Sequence, residues 1–229
     1  MIGGMAYREP FGVGEWYHCF SRGIDKRNVF ENELDANRFL MALYLANGTE
    51  KVKLFNDPKP KLEIVFKKDR GEPIVAIGAY CLMPNHFHLL LEEIVEGGIT
   101  SFMRKVGTAY TMYFNARYER VGNLFTKPFR SRHIGSDRYL QRVVEYIHCN
   151  PAELYESRWK SGKVRNVGVL EQKLLAYPYS SFASHTYKHK VDPILSPDVL
   201  QMVHQRSVLR MLEESRDYYA DITADTFEK

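Results

Sequence analysis

Two histidines one residue apart, His86 and His88, lie in the segment YCLMPNHFHLLLEE that spans residues 80–93. The flanks are apolar and the run is short, which predicts a strand. Alternation along a strand puts His86 and His88 on one face and Phe87 on the other. Paired neutral imidazoles are common ligands of a divalent metal. The plainer alternative is two half-exposed histidines with no partner. Pro84-Asn85 just before the pair is a turn signal and sets it at the start of the strand, near a rim. Leu89, Leu90 and Leu91 then offer a rigid anchor.

A second reactive group lies further on. Tyr146 and Asn150 are four residues apart on a predicted helix, so they share a face. A phenol can serve as a covalent nucleophile and an amide oxygen as a metal ligand. A tyrosine that only packs, and an asparagine that only ends a helix before Pro151, is the competing account. Residues 125–133, FTKPFRSRH, interleave Phe125 and Phe129 with Lys127, Arg130 and Arg132. Rings that stack on bases and cations that meet phosphates make a single-strand binding surface. An ordinary basic loop is the alternative.

Charge distribution points the same way. The net charge is only +4, but residues 100–150 hold nine Lys/Arg against three Asp/Glu, and residues from 211 onward hold two against six. A basic middle with an acidic tail suits a polyanion-binding face. Solvated helix faces would give the same count. The three cysteines, Cys19, Cys81 and Cys149, form no Cys-x-x-Cys unit, so a reduced, cytoplasmic protein is expected. No run approaches the ~18 apolar residues of a membrane span. The start, MIGGMAYREP, lacks the build of a secretory signal.

These groups need a scaffold. Residues 1–13 are Gly-rich and expected to be loose. Strands are predicted at 15–22, 62–66, 74–82 and 86–93, the last three as a meander with the histidines on its final member. Helices are predicted at 33–46, 100–118, 136–150 and 198–219, with Asn47-Gly48 closing the first, Ser136 capping the third and Pro151 stopping it. Residues 48–73 read as a polar excursion with Lys51, Lys53, Asp57-Pro58 and Pro60, and 122–134 as a loop or irregular strand. Beyond Glu156 the chain turns to loops.

In this order the motifs resemble the HUH single-tyrosine transposases, above all the REP-associated tyrosine transposases. The match runs over residues 14–155: Tyr17-His18 leading to Ser21-Arg22-Gly23; Leu82-Met83-Pro84-Asn85-His86-Phe87-His88; Gly122-Asn123-Leu124-Phe125; Phe129-Arg130-Ser131; Tyr139-Leu140; and Tyr146-Ile147-His148-Cys149-Asn150-Pro151. The resemblance implies an α+β fold, a ferredoxin-like antiparallel sheet with helices on one face, followed here by a C-terminal helical extension at 156–229. It implies His86, His88 and Asn150 as ligands of Mg²⁺ or Mn²⁺, with Asn150 one methylene shorter than the glutamine of many relatives outside this branch. Tyr146 becomes the nucleophile on single-stranded or hairpin DNA. His18 and Arg22 join Lys127, Arg130, Arg132, Phe125 and Phe129 as expected DNA contacts. Cleavage would give a 5′-phosphotyrosine and a free 3′-hydroxyl. A relaxase or replication initiator, and a non-catalytic nucleic-acid-binding protein of the same fold, are the rival readings; a homodimer is left open. A histidine-triad hydrolase is disfavoured, because position 90 is Leu.

Overall fold

The computed structural model describes residues 10–50, 60–187 and 191–226. Most of the expected loose N-terminus, and Lys51, Lys53 and Asp57-Pro58 of the polar excursion, lie outside those residues. In chain order the elements are β1 (Trp16–Arg22), α1 (Glu33–Ala46), α2 (Leu62–Val65), β2 (Val75–Met83), β3 (His86–Glu93), α3 (Gly98–Arg117), β4 (Arg130–Ile134), α4 (Asp137–Cys149), α5 (Ala152–Tyr155), α6 (Val167–Ala176), α7 (Phe182–Thr186), α8 (Val199–Met202) and α9 (Val208–Thr226). Local chemistry sets the helix starts near the site. The Asn32 side chain accepts from the Asp35 amide to cap α1, and the Ser136 hydroxyl accepts from the Tyr139 amide to cap α4. Gly97, at a φ of 74° that a side chain disfavours, turns the chain into α3.

The four strands form one antiparallel sheet in the order β2-β3-β1-β4. The histidine strand β3 is therefore central. Phe20 stands opposite His88 and Arg22 opposite His86 on one side; Cys81 and Met83 face the same two residues on the other. One sheet face, with Tyr17, Cys19, Leu89 and Leu91, packs on α1 and α3 through Phe39, Phe102 and Tyr110. The opposite face, with Trp16, Ala79 and Leu90, packs on α4 and α9 through Val143, Ile147 and Tyr218.

The antiparallel α+β sheet is as expected, but helices cover both of its faces rather than one. The reason is in the strands: every residue of β2 is buried, and both alternating sets of β1 and β3 are largely buried too. Such strands need a layer on each side.

Three local expectations are corrected. Residues 62–66 are a helical turn, not a strand: the Val65 amide bonds to Lys61 O and the Phe66 amide to Leu62 O, and Val65 packs under α1 while its β-branched neighbour Ile64 stays 59% exposed. The meander is thus a two-stranded hairpin, with β1 completing the pairing of β3. Pro151 does not stop the helix direction. Asn150 and Pro151 both keep right-handed helical dihedrals, and Pro151 opens α5, where its missing N–H costs nothing. The single helix predicted at 198–219 is two, broken between Met202 and Val208.

Residues beyond 156 pack back on the same sheet. Along the outer side of β2, the Leu82 amide donates to Tyr179 O, the Ser181 amide to Tyr80 O and the Ser196 amide to Ile77 O. A further core gathers Cys149, Ala152, Trp159, Leu170, Phe182 and Leu212, joining α5, α6, α7 and α9. The three cysteines are free and buried. Among the described residues, no helix is long and apolar enough to cross a membrane.

Candidate active site

β3 projects His86 and His88 from the sheet face that α4 crosses, and α4 projects Tyr146 back at them. The His86 and His88 rings are 5.0 Å apart at an interplanar angle of 89°, and the Tyr146 ring lies 5.3 Å from His88 at 85°. Asn150, one turn beyond Tyr146, donates from Nδ2 to the Tyr146 carbonyl at 2.8 Å. That bond leaves Oδ1 as the acceptor of the amide, and the same side chain lies close enough to His86 to act on its protonation. Four residues far apart in sequence are thus brought together by two elements.

Each imidazole has one nitrogen committed. His86 Nδ1 pairs with Asn85 Oδ1 at 2.6 Å, and His88 Nδ1 pairs with His18 Nε2 at 2.9 Å. Burial, then the Arg22 guanidinium, lowers His86 to about 4, against smaller opposing effects of Glu153 and Asn150. Burial, then His86, His18 and Arg22, takes His88 well below the usual histidine range. Both rings are therefore neutral near pH 7 and have an Nε2 to offer. Two neutral imidazole nitrogens and an amide oxygen are donors of the kind that could hold a divalent ion such as Mg²⁺ or Mn²⁺. Among the described residues there is no group of three or more His, Cys, Asp or Glu that could hold a metal.

Tyr146 is only 4% exposed. Its ring lies 4.8 Å from that of Tyr218 on α9 and 5.7 Å from that of His18. Burial, and next the Tyr219 phenol, push its hydroxyl above the usual tyrosine value, while a hydrogen bond with the Asn150 side chain works in the opposite direction. Tyr139, seven residues earlier on α4, points elsewhere: its hydroxyl accepts from Arg132 Nη1 at 3.4 Å, and its ring meets Tyr218.

Two expected DNA contacts are corrected. His18 is fully buried with both ring nitrogens bonded, to His88 and to Tyr218 Oη at 2.9 Å, and it has no face for DNA. Phe125 is 6% exposed and packs with Phe39, Phe87 and Tyr110 in the core, so it is no stacking platform. Alternation gives the face of a side chain but not what covers that face. Lys127 and Arg130 are exposed, Arg132 and Arg22 half-buried, and Phe129 half-buried in a stack with Phe11. The structure adds residues that the motifs did not mark. Glu153 and Lys160 pair at 3.0 Å and both act electrostatically on His86. Tyr218 and Tyr219 come from α9. Glu153 follows Tyr146 by seven residues, a helical repeat that a helix continuing past Pro151 would have exposed; the others have no local signal.

Residues 15–150 match the family model described as "Transposase IS200 like". Among solved structures, that of a REP-associated tyrosine transposase bound to a REP hairpin is similar, with a TM-score of 0.52 and 14% identity, over 89% of this chain and 96% of that one. At that identity the likeness concerns the fold. A comparison with curated proteins gave no match.

Proposed function

The chain belongs to the IS200-like transposases, enzymes that act on DNA, and we propose that it nicks and rejoins single-stranded, hairpin-bearing DNA through a covalent bond to Tyr146. The observation that carries this reading is the convergence of the Tyr146 ring on the His88 ring at 5.3 Å with Asn150 one turn away. The order of the motifs and the likeness to a hairpin-bound transposase favour the REP-associated branch.

In the proposed reaction the Tyr146 oxygen attacks the scissile phosphorus. The Tyr146 Oη–P bond forms, the P–O3′ bond breaks, the phenol gives up its proton and the leaving O3′ takes one up. A second 3′-hydroxyl reverses the step and joins new strands, so the phosphodiester energy is conserved. His86 and His88, with Asn150, would hold Mg²⁺ or Mn²⁺; when bound, the ion polarises the phosphate and lowers the barrier for a phenol that burial has made a poor acid. Lys127, Arg130, Arg132 and Arg22 supply positive charge for the backbone, and Phe129 an aromatic face. Tyr146 is covered by Tyr218 and Tyr219, so strand entry has to displace part of that cover. Three free thiols suit a reducing compartment such as the cytoplasm.

The test is incubation of labelled hairpin-bearing single strands with the protein and Mg²⁺ or Mn²⁺, followed by a denaturing gel. A downstream fragment joined to the protein through its 5′-phosphate, and an upstream fragment ending in a free 3′-hydroxyl, are expected. Tight binding with no cleavage under any divalent ion would leave the rival reading, a nucleic-acid-binding protein.

A further inference from the structure

His18 has the sequence position of a surface strand residue, yet it is among the most buried polar groups of the chain. On β1 it lies diagonal to His88: Phe20 pairs directly with His88 and His18 with Leu90, so both imidazoles share a face. Their rings are 5.0 Å apart and inclined by 26°. His18 Nε2 meets His88 Nδ1 at 2.9 Å, and His18 Nδ1 meets Tyr218 Oη at 2.9 Å. Tyr218 hydrogen-bonds Tyr139 in turn, and Tyr139 accepts from Arg132. A line of four side chains thus runs from α9 and α4 through β1 into the histidine pair.

Two proton arrangements fit these distances. In one, His88 carries its proton on Nδ1 and donates to His18, His18 donates from Nδ1 to Tyr218, and Tyr218 donates to Tyr139. In the other every donor is reversed, and His88 carries its proton on Nε2. The second leaves the Nε2–H of His88, a residue only 3% exposed, without an acceptor among the described residues; the first moves the spare donor to the hydroxyl of half-buried Tyr139, nearer to water. The first gives every N–H and the Tyr218 O–H a partner.

We propose that His18, braced by Tyr218 of α9, is a positioning residue that holds His88 as the Nδ1–H tautomer with an unprotonated Nε2 facing the site. A metal-binding histidine commonly has its second nitrogen fixed in this way, and loss of such a partner costs about 10- to 100-fold in metal affinity. Here the partner is another imidazole, and the far end of the line sits in the C-terminal extension. The metal consequence rests on the function proposed above; the tautomer does not.

The experiment therefore reads both. Protein labelled with ¹⁵N-histidine gives ring proton–nitrogen correlation spectra without metal near pH 7.5. Mn²⁺ alone is then titrated and free ion is followed by electron paramagnetic resonance. The wild type is expected to show His18 and His88 as Nδ1–H tautomers. His18→Phe removes the acceptor; His88 should shift toward Nε2–H, and Mn²⁺ affinity should fall by about 10- to 100-fold. His18→Gln returns an acceptor oxygen near the Nε2 position and should restore most of the affinity. An Nε2–H His88 in the wild type overturns the proposal. So does His18→Phe with unchanged tautomer and affinity, or His18→Gln as impaired as His18→Phe. An Nδ1–H His88 in a wild type that binds no Mn²⁺ supports the assignment of the tautomer and refutes the metal reading. The wild-type spectrum needs no variant, so a poorly folding His18→Phe still leaves the proposal decided.

Discussion

Mild acid should unfold this protein far more readily than its modest charge suggests. Five of its eight histidines, His18, His86, His88, His148 and His185, are held below the usual value in the folded state, in each case mainly by burial. His18 goes down to about 3 and both His86 and His185 to about 4. In the unfolded chain each returns to about 6.5. Below that pH the unfolded state binds more protons, so stability is fully present above pH 6.5 and drains away as pH falls toward the folded values. Between pH 7.5 and 5.5 one such imidazole accounts for about 1.4 kcal/mol, and five for about 7 kcal/mol. That equals the whole stability of many domains, about 5–15 kcal/mol. Urea unfolding of metal-free protein at pH 7.5, 6.5 and 5.5 should show the midpoint collapsing across the series. Calorimetry in buffers of different ionisation heat should count about four to five protons taken up on unfolding at pH 5.5. His18→Gln should remove about one of them. A midpoint that holds at pH 5.5, or an uptake below about two protons, would refute the claim that these imidazoles are buried and neutral.

Other substitutions probe the nucleophile, the histidine pair, the basic segment and the sheet core. Tyr146→Phe keeps the ring against His88 and Tyr218 and should bind DNA normally while forming no covalent adduct; Tyr139→Phe should still form one, and an adduct mapped to Tyr139 would reassign the nucleophile. His88→Ala should abolish cleavage, as should a chelator added to the wild type; a His88→Ala protein that cuts in chelator would remove the metal from the scheme. Lys127→Ala and Arg130→Ala, both at exposed positions, should each flatten the dependence of log affinity on log salt by about 0.7 for a single strand. Gly78→Ala would set a methyl 2.7 Å from Leu90 and 2.8 Å from Trp16 inside the α4 face of the sheet; a loss of about 1–3 kcal/mol by urea unfolding is expected.

Much of this was readable from residues alone, for identifiable reasons. Strand β3 and helix α1 start and end where periodicity and punctuation put them, because Pro84-Asn85, Asn32 and Asn47 act locally. His86, His88, Tyr146 and Asn150 were legible as a set because two elements with regular geometry carry them. The second helical layer was not. Its α9 meets β1 through Tyr218 and His18, which are 200 residues apart, and no local pattern encodes that contact. For the same reason His18 and Phe125 read as surface groups. Residues 62–66 failed differently: Ile64 and Val65 favour a strand by type, and packing of Val65 under α1 overrode that preference.

The path of the extension along β2 bears on aggregation. An outermost strand normally offers bare amides and carbonyls to any passing chain, a standing invitation to runaway pairing. Here β2 has that flank occupied by Tyr179, Ser181 and Ser196 of its own chain. Among the described residues, β4 is the other outermost strand, five residues long with Arg130 and His133 exposed, which discourages a flat neighbour by shortness and charge. Removing residues beyond 156 would strip β2, and the product should be judged first for stickiness rather than for lost chemistry.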